Sequence, residues 1–516
     1  MERRDVLHAS ASALAAGALG QSVTARGSAP FEPVGELEIG HAAEVVLSDD
    51  GSTAYVAGDS GFLTVDVSDP ANPAVLSEQR PLETSSGTQV QQILDVKVDG
   101  TSLLVPTAAQ GGGPRGFFLY DVSDPANPSQ VGEFFDTPHG NHNSFILDDV
   151  VYLTGNTREA TYLNVIDVSN EEFEQVGQWS PSQDLDSRWS QVPGKVLHDV
   201  WVQDGIAYCA YWDAGTFLVD VSDPANPEFV SRIGDYAFED LLEWEGTRAG
   251  IDYTEPRGNA HYVAVDDDAT VLGVGVESWD AQLDDGQGGP GGISLYDITD
   301  PTDPTHLSDI NPPQPENGDA TRSGTWTTSH NFQFQGDRLY TSWYQGGVKT
   351  FDVSDPANPS QLSWWRDPAY GFWTARTTEA VDFFAATSYP VPSSERTGLL
   401  LFSDEQAEQS SPSSEIVEAD PLFDSENEFY VDLPGDFEGE PTTGTASGGS
   451  TGDGDDTTSR QTTTPAETSP KTSPSDDPTG TITDGASSGS TPGFGVLAAV
   501  AGLGLGASRF LREHDE

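Results

Sequence analysis

The sequence predicts an all-β protein, a seven-bladed β-propeller, and three observations carry that prediction. An octet, Asp-Val-Ser-Asp-Pro-Ala-Asn-Pro, begins at Asp66, Asp121, Asp220 and Asp352, with variants beginning at Asp167 and Asp297. Successive copies lie 55, 46, 53, 77 and 55 residues apart, close to the ~40–50 residues that a four-stranded blade occupies. The chain of 516 residues also carries 54 Gly and 35 Pro with modest apolar content, which suits many short strands and turns rather than long helices.

Each copy resolves into four strands. In the fourth, Asp199-Val-Trp-Val is the innermost strand and Asp204-Gly205 turns the chain. Residues 206–211 form a second strand and 216–220 a third, and the octet then leads into an outer strand beginning at Glu228. The octet is turn chemistry: Asp bonds its own backbone two residues on, Pro presets φ, and Asn tolerates left-handed geometry. A degraded seventh copy, 398–404, places Asp404 49 residues after the matching Asp355. Residues 32–38 have no blade of their own. Glu32-Pro-Val-Gly-Glu-Leu-Glu is, however, similar to Pro128-Ser-Gln-Val-Gly-Glu-Phe, the outer strand of blade two. An N-terminal strand is therefore expected to pair with 398–403 and close the last blade, leaving no open sheet edge in the ring.

With the Phe-Leu-Val-Asp-type strand that precedes them, the octets resemble the LVIVD-repeat family of secreted β-propellers, over residues 31–409. The resemblance implies the fold and says little about activity.

The flanking segments read as addresses. Residues 1–30 look like an export signal: Arg3-Arg4, an apolar stretch over 9–20, and Val23-Thr24-Ala25 as a small-x-small cleavage site. Arg3-Arg4 followed by Asp5, Val6 and Leu7 resembles a twin-arginine signal, with an ordinary Sec signal as the alternative. Residues 410–440 form an acidic connector. Of the 50 residues in 441–490, 23 are Ser or Thr, so this segment buries no core and reads as a disordered stalk. In 491–516, Pro492-Gly-Phe-Gly, a short apolar run to Ala507, and Arg509 and Arg512 resemble the PGF-type sorting tail of archaeal surface proteins. In that family a protease removes the tail and a lipid replaces it; a plain C-terminal membrane anchor is the alternative. Together these resemblances imply a halophilic archaeal surface protein, exported and anchored at the extracellular face of the cell membrane.

Charge excludes whole classes of partner. Asp and Glu number 84 against 22 Lys and Arg, a net charge of -62. That field repels phosphate backbones and anionic headgroups, so neither nucleic acid nor a lipid surface is an expected ligand of the propeller. It also predicts salt dependence. Screening fades as the Debye length grows from ~3 Å at 1 M to ~30 Å at 0.01 M salt, so structure should be lost as salt is removed. Circular dichroism across a salt series checks this, and a native spectrum retained in dilute buffer would show that packing alone suffices. Cys209 is the only cysteine; it lies in an apolar strand and reads as core.

Histidine is where candidate chemistry concentrates. His142, His198, His261 and His330 share one equivalent position, the start of the innermost strand, in blades three to six. Leu94 and Ala43 hold that position in blades two and one, and His139 and His41 lie shortly before it in their blades. Antiparallel pairing puts this position on one face, the top, together with the ends of the second strands. There Trp212-Asp213, Trp279-Asp280 and Trp343-Tyr344 follow. One reading is a metal site at the channel mouth that holds one copper or other late transition metal, which imidazole suits. In it Asp213 and Asp280 orient the ligands, and His139, His41, Trp212, Trp279, Trp343 and Tyr344 surround them. The other reading is a structural latch, each His bonded within its own blade. The connections 180–195, 234–259 and 311–326 are expected as lids or binding loops. The expected function is an extracellular, surface-anchored binding or interaction module, a monomer presenting its top face to an extracellular ligand or surface-layer component. The alternative is a metal-dependent, copper-like oxidoreductase built on the His cluster.

Overall fold

The computed structural model describes residues 31–107, 113–157, 160–244, 255, 257–281, 288–315, 318–404 and 429–437. The readings placed on the export signal, the stalk and the sorting tail lie outside these residues.

Seven antiparallel sheets form the expected propeller. The innermost strands of blades one to seven are, in order, Ala42–Leu47, Lys97–Asp99, Ser144–Leu147, Asp199–Gln203, Ala260–Val265, Phe332–Gln335 and Phe372–Arg376. Within each sheet the strands follow chain order outward, except in blade seven, where Pro33–Glu38 is the outermost strand. It pairs antiparallel with Gly398–Ser403, placing Leu37 opposite Leu399 and Gly35 opposite Leu401. Phe31, just before it, stacks on Phe402 at 5.6 Å and Phe384 at 6.2 Å. Tyr370 and Arg396 both donate to the Glu36 carboxylate. The N-terminal segment is thus built into the hydrophobic core of the last blade.

The octet does two things. Its first Asp accepts from the backbone N–H two residues on, at 3.0 Å for Asp66 and Ser68 and 2.8 Å for Asp121 and Ser123. Its second Asp accepts from the Asn three residues on, at 2.9 Å in Asn72–Asp69 and 2.8 Å in Asn226–Asp223. These bonds make the turn. The turn then docks on the preceding blade: Thr64 donates to the Pro125 carbonyl, Ser231 to that of Pro301 and Ser308 to that of Pro356. This close approach explains the glycine in the Val-Gly-Glu outer strands. A Cβ on Gly35 would stand 2.0 Å from the Pro70 carbonyl oxygen, and one on Gly132 2.7 Å from that of Glu171; the Val-Gly-Gln glycine of blade three, Gly177, meets the Pro224 carbonyl in the same way at 2.0 Å. The sequence similarity that identified the closing strand is therefore the imprint of blade-to-blade docking.

Polar side chains bind the innermost strands across the channel. The residue after the shared His position is Glu44, Asp95, Asn143, Asp199 or Asn331 in five of the blades, and each is buried. Asp95 accepts from the backbone and hydroxyl of Ser144, linking blades two and three. Asp199 accepts from Asn143 at 2.9 Å and from the Val263 N–H at 3.2 Å, linking blades three, four and five. Glu44 accepts from Arg376 at 3.0 and 3.1 Å and from Asn331 at 2.6 Å, linking blades one, six and seven. Lys97 pairs with Asp95 and lies 3.8 Å from Glu44. Below this belt a cavity of about 170 Å³ is lined by residues that include Lys97, Phe145, Trp201, Gln333 and Arg376.

Blade four is enlarged. Residues 180–195 form a helical turn, Pro181–Asp184, and a 3-10 turn, Ser187–Gln191, and residues 238–242 form another short helix. These pack Trp189, Phe238 and Leu241 into a core with Trp179 and Phe217. Residues 180–195, expected as a lid, are therefore packed structure, because Trp189 is only 1% exposed. Tyr430–Asp432, inside the stretch read as an acidic connector, adds a fifth strand to the outer strand Glu228–Gly234. Arg232, wholly buried, pairs with Asp432 and also donates to the Ala214 and Tyr236 carbonyls. Phe437 closes over the same core, 5.4 Å from Phe238 and 5.6 Å from Trp189. Cys209 is buried core, as its strand implied.

Candidate functional site at the channel mouth

The four aligned histidines come together. Ring centroids are 4.0 Å apart for His142–His198, 3.6 Å for His198–His261 and 5.0 Å for His261–His330. Three of the rings are nearly fully buried, at 4% for His198, 5% for His261 and 2% for His330. The run continues past histidine. Trp373 lies 4.2 Å from His330, Tyr389 4.8 Å from Trp373, and His41 6.0 Å from Tyr389. Gln92 of blade two donates to the Tyr389 hydroxyl at 2.8 Å. An arc of aromatic rings thus follows the mouth from blade three round to blade one. Trp373 occupies in blade seven the position that His holds in blades three to six. Sequence reading passed over it because blade seven lacks an intact octet to anchor the alignment.

Backbone contacts hold the rings. A carbonyl oxygen only accepts, so each imidazole nitrogen facing one must carry a proton. His198 Nδ1 therefore donates to the His261 carbonyl at 2.7 Å, and His330 Nδ1 to the Trp373 carbonyl at 2.6 Å. Each bond reaches into the next blade, so the latch runs between blades rather than within one. The strand pairing shifts register between Ala260 and Tyr262, and this irregularity sets the His261 backbone. His142 differs: its Nδ1 faces the Asn143 side chain at 3.0 Å. Burial lowers the basicity of all four, holding His330 down to about 3 and His198 and His261 well below the ordinary range. All four are neutral at pH 7, the state in which imidazole offers a lone pair.

A residue that sequence reading missed completes the cluster. Glu277 follows the second strand of blade five, Val271–Val276. Its Oε1 accepts from the Tyr344 hydroxyl at 2.5 Å, and its Oε2 lies 3.3 Å from His261 Nδ1. Burial raises its carboxyl to about 7, opposed by the Tyr344 hydrogen bond and the charge of Arg322. One donor atom each from His261, Glu277 and His330 lie within 4.8 Å of one another. In the sequence the conspicuous Trp279-Asp280 pair drew attention two residues downstream.

The other expected site residues divide. Tyr344 joins the cluster, its ring 4.6 Å from His330. Trp212 lies beside it, 6.4 Å from His198, with its backbone bridged to Ala260. Trp343 does not line the mouth: it is fully buried and donates to Thr341 at 2.7 Å. It stands one position earlier than Trp212 relative to its strand, and one position moves a side chain to the opposite face. Trp279 packs on Trp326 at 5.0 Å and under the Arg322 guanidinium at 4.4 Å. Asp213 is buried and accepts from the Asn259 N–H at 3.0 Å, and the Asp280 N–H donates to the Ala320 carbonyl; both hold connections together. His139 stacks on Tyr162 at 4.7 Å, and His41 contacts Asp59 at 2.5 Å at the exposed end of the arc.

Seven sheets round a channel, six of four strands and one of five, latched through their innermost strands, define a repeat-built β-propeller with one aromatic mouth. The LVIVD repeat model matches residues 39–78 and 194–235, the repeats of blades one and four. Among solved structures, the chain is similar to the Myceliophteria thermophila Cps50 (Swd1) β-propeller domain, at 10% identity and a TM-score of 0.49, covering 72% of this chain and 99% of that one. It is also similar to the RRP9 WD40 repeats, at 10% identity and a TM-score of 0.48, covering 73% and 98%. The U3-55K structure gives 10% identity and a TM-score of 0.50, covering 73% and 99%, a likeness of fold alone. No curated protein sequence matches the chain.

Proposed function

We propose that the protein is an exported, surface-anchored binding module whose recognition surface is the top face around the channel mouth. The observation that carries this reading is the aromatic arc. His142, Trp212, Trp373 and Tyr389 are only partly buried, and aromatic side chains with a polar tip are suited to contact surfaces because they give large area at little entropic cost. The bottom face offers the octet turns instead, whose carboxylates are engaged in their own turns. A ring of blades latched through its innermost strands is a rigid platform on which such residues need little ordering. The high negative charge directs the module toward neutral or cationic groups of the cell envelope.

Photo-crosslinking tests the reading. A photoreactive residue is placed at Trp373 or at Ala225, in a bottom-face turn, of the full chain on intact cells. Adducts with envelope material should form from position 373 alone, and external protease should digest the propeller without cell lysis. Equal labelling from both faces, or protection from the protease, would overturn the proposal.

A further inference from the structure

We propose that His261, Glu277 and His330 bind one divalent late first-row transition ion, leaving a further coordination position for an external ligand. The inference stands apart from the surface-binding reading.

Three observations carry it. First, His261 Nε2 and His330 Nε2 face each other at 3.3 Å. Two donors each ~2.0–2.1 Å from a tetrahedral metal stand about 3.3 Å apart. His330 Nδ1 is committed as a donor to the Trp373 carbonyl, so its Nε2 carries a lone pair directed at His261. Second, His261 Nδ1 has no hydrogen-bond partner although the ring is 5% exposed; its contact with Glu277 at 3.3 Å lacks hydrogen-bond geometry. Third, the Glu277 carboxylate is buried beside these rings with its other oxygen held by Tyr344. A buried carboxylate is costly unless paired; an ion taking one nitrogen from each ring, His261 through Nε2, pairs it and leaves the His261 Nδ1–H directed toward the Glu277 carboxylate.

The surroundings fit a ligand set. Metal-bound His characteristically donates its other ring N–H to a carbonyl or carboxylate, and ligating carboxylates are themselves hydrogen-bonded. His330 to Trp373 and Tyr344 to Glu277 supply those contacts. Two His and one carboxylate suit zinc or iron, and three protein ligands leave a coordination position open. His198 is a positioning residue: its ring stacks on His261 at 30° between planes, and it fixes the His261 backbone through the carbonyl. Near-parallel stacked rings do not aim their lone pairs at one point, so the site narrows from four histidines to two with Glu277.

The experiment uses the full chain, stripped with chelator and titrated with Zn²⁺, then Co²⁺, in 2 M salt to screen the surface carboxylates. One ion per chain should bind in competition with a chelator indicator, and Co²⁺ should give d–d bands without thiolate charge transfer. Glu277→Gln, close in shape, should weaken binding by more than ~100-fold, and Tyr344→Phe by ~10–100-fold. His139→Ala should leave the affinity unchanged. Circular dichroism confirms that each variant is folded. If the folded wild-type chain binds Zn²⁺ no more tightly than millimolar, the site does not exist. Equal affinity in wild type and Glu277→Gln would assign the ion to surface carboxylates and overturn the proposal.

Discussion

Deleting residues 31–38 should abolish cooperative unfolding of the propeller rather than merely lower its transition temperature. The strand supplies the outer edge of blade seven, its pairing with Gly398–Ser403 and the stacking of Phe31 on Phe384 and Phe402. It also supplies the Gly35 surface on which the first octet docks. Its loss frees both the seam between blades seven and one and an apolar strand whose Leu399, Leu400 and Leu401 are wholly buried in the intact ring. Domains are stable by only ~5–15 kcal/mol, and the loss should be of that order. An exposed apolar edge strand should add a tendency to self-associate. Calorimetry and light scattering of the truncated chain check both effects; an unchanged melting transition would mean that blade seven holds without the strand.

The second large effect should come from Glu44→Gln. Burial alone would raise the Glu44 carboxyl, but Arg376 and Lys97 outweigh it and hold it at about 2, against an ordinary 4.5. Removing the charge leaves the buried Arg376 guanidinium without its anion, which should cost about 3–5 kcal/mol. The sign of the pH dependence follows from the lowered value. A carboxyl whose folded pKa is depressed contributes stability that is complete above its unfolded value and lost as pH falls through its folded value. The stability gap between wild type and Glu44→Gln should therefore be widest above pH 4.5 and close as pH falls toward about 2. Denaturant midpoints from pH 7 down to pH 2 measure it. A gap constant with pH would show that shape, not charge, sets the effect. Adding Arg376→Met should recover much of the loss, because it removes the stranded charge.

Much of the architecture was legible because a propeller writes its geometry into repeated residues. The octets gave the blade count, and Val-Gly-Glu betrayed the closing strand because Gly35 must admit the Pro70 carbonyl. The aligned histidines proved to be neighbours in space because equivalent blade positions converge on the axis. Part of what sequence reading missed was not repeated. Glu277 has no counterpart in the other blades, and its partner Tyr344 lies 67 residues away in another blade. The polar belt was in plain view, one residue after five of the aligned positions, as Glu44, Asp95, Asn143, Asp199 and Asn331. It went unread because His was the rarer letter. Trp343 was misplaced by a single position, enough in a period-two structure to exchange channel mouth for core.

The fifth strand on blade four decides how the molecule would bear load. Any pull applied beyond residue 437 reaches the ring first through Phe437, packed on Trp189 and Phe238, and then through Tyr430–Asp432, a pairing of three residues clipped by Arg232 and Asp432. Tension therefore enters at blade four, while the seam held by the N-terminal strand lies in blade seven, with blades five and six between them. The short pairing can peel as a mechanical fuse, and only after it has peeled does the pull reach Ser403, the end of the strand that pairs with the N-terminal strand. A propeller held by its C-terminal end would in this way yield at its leash before its ring.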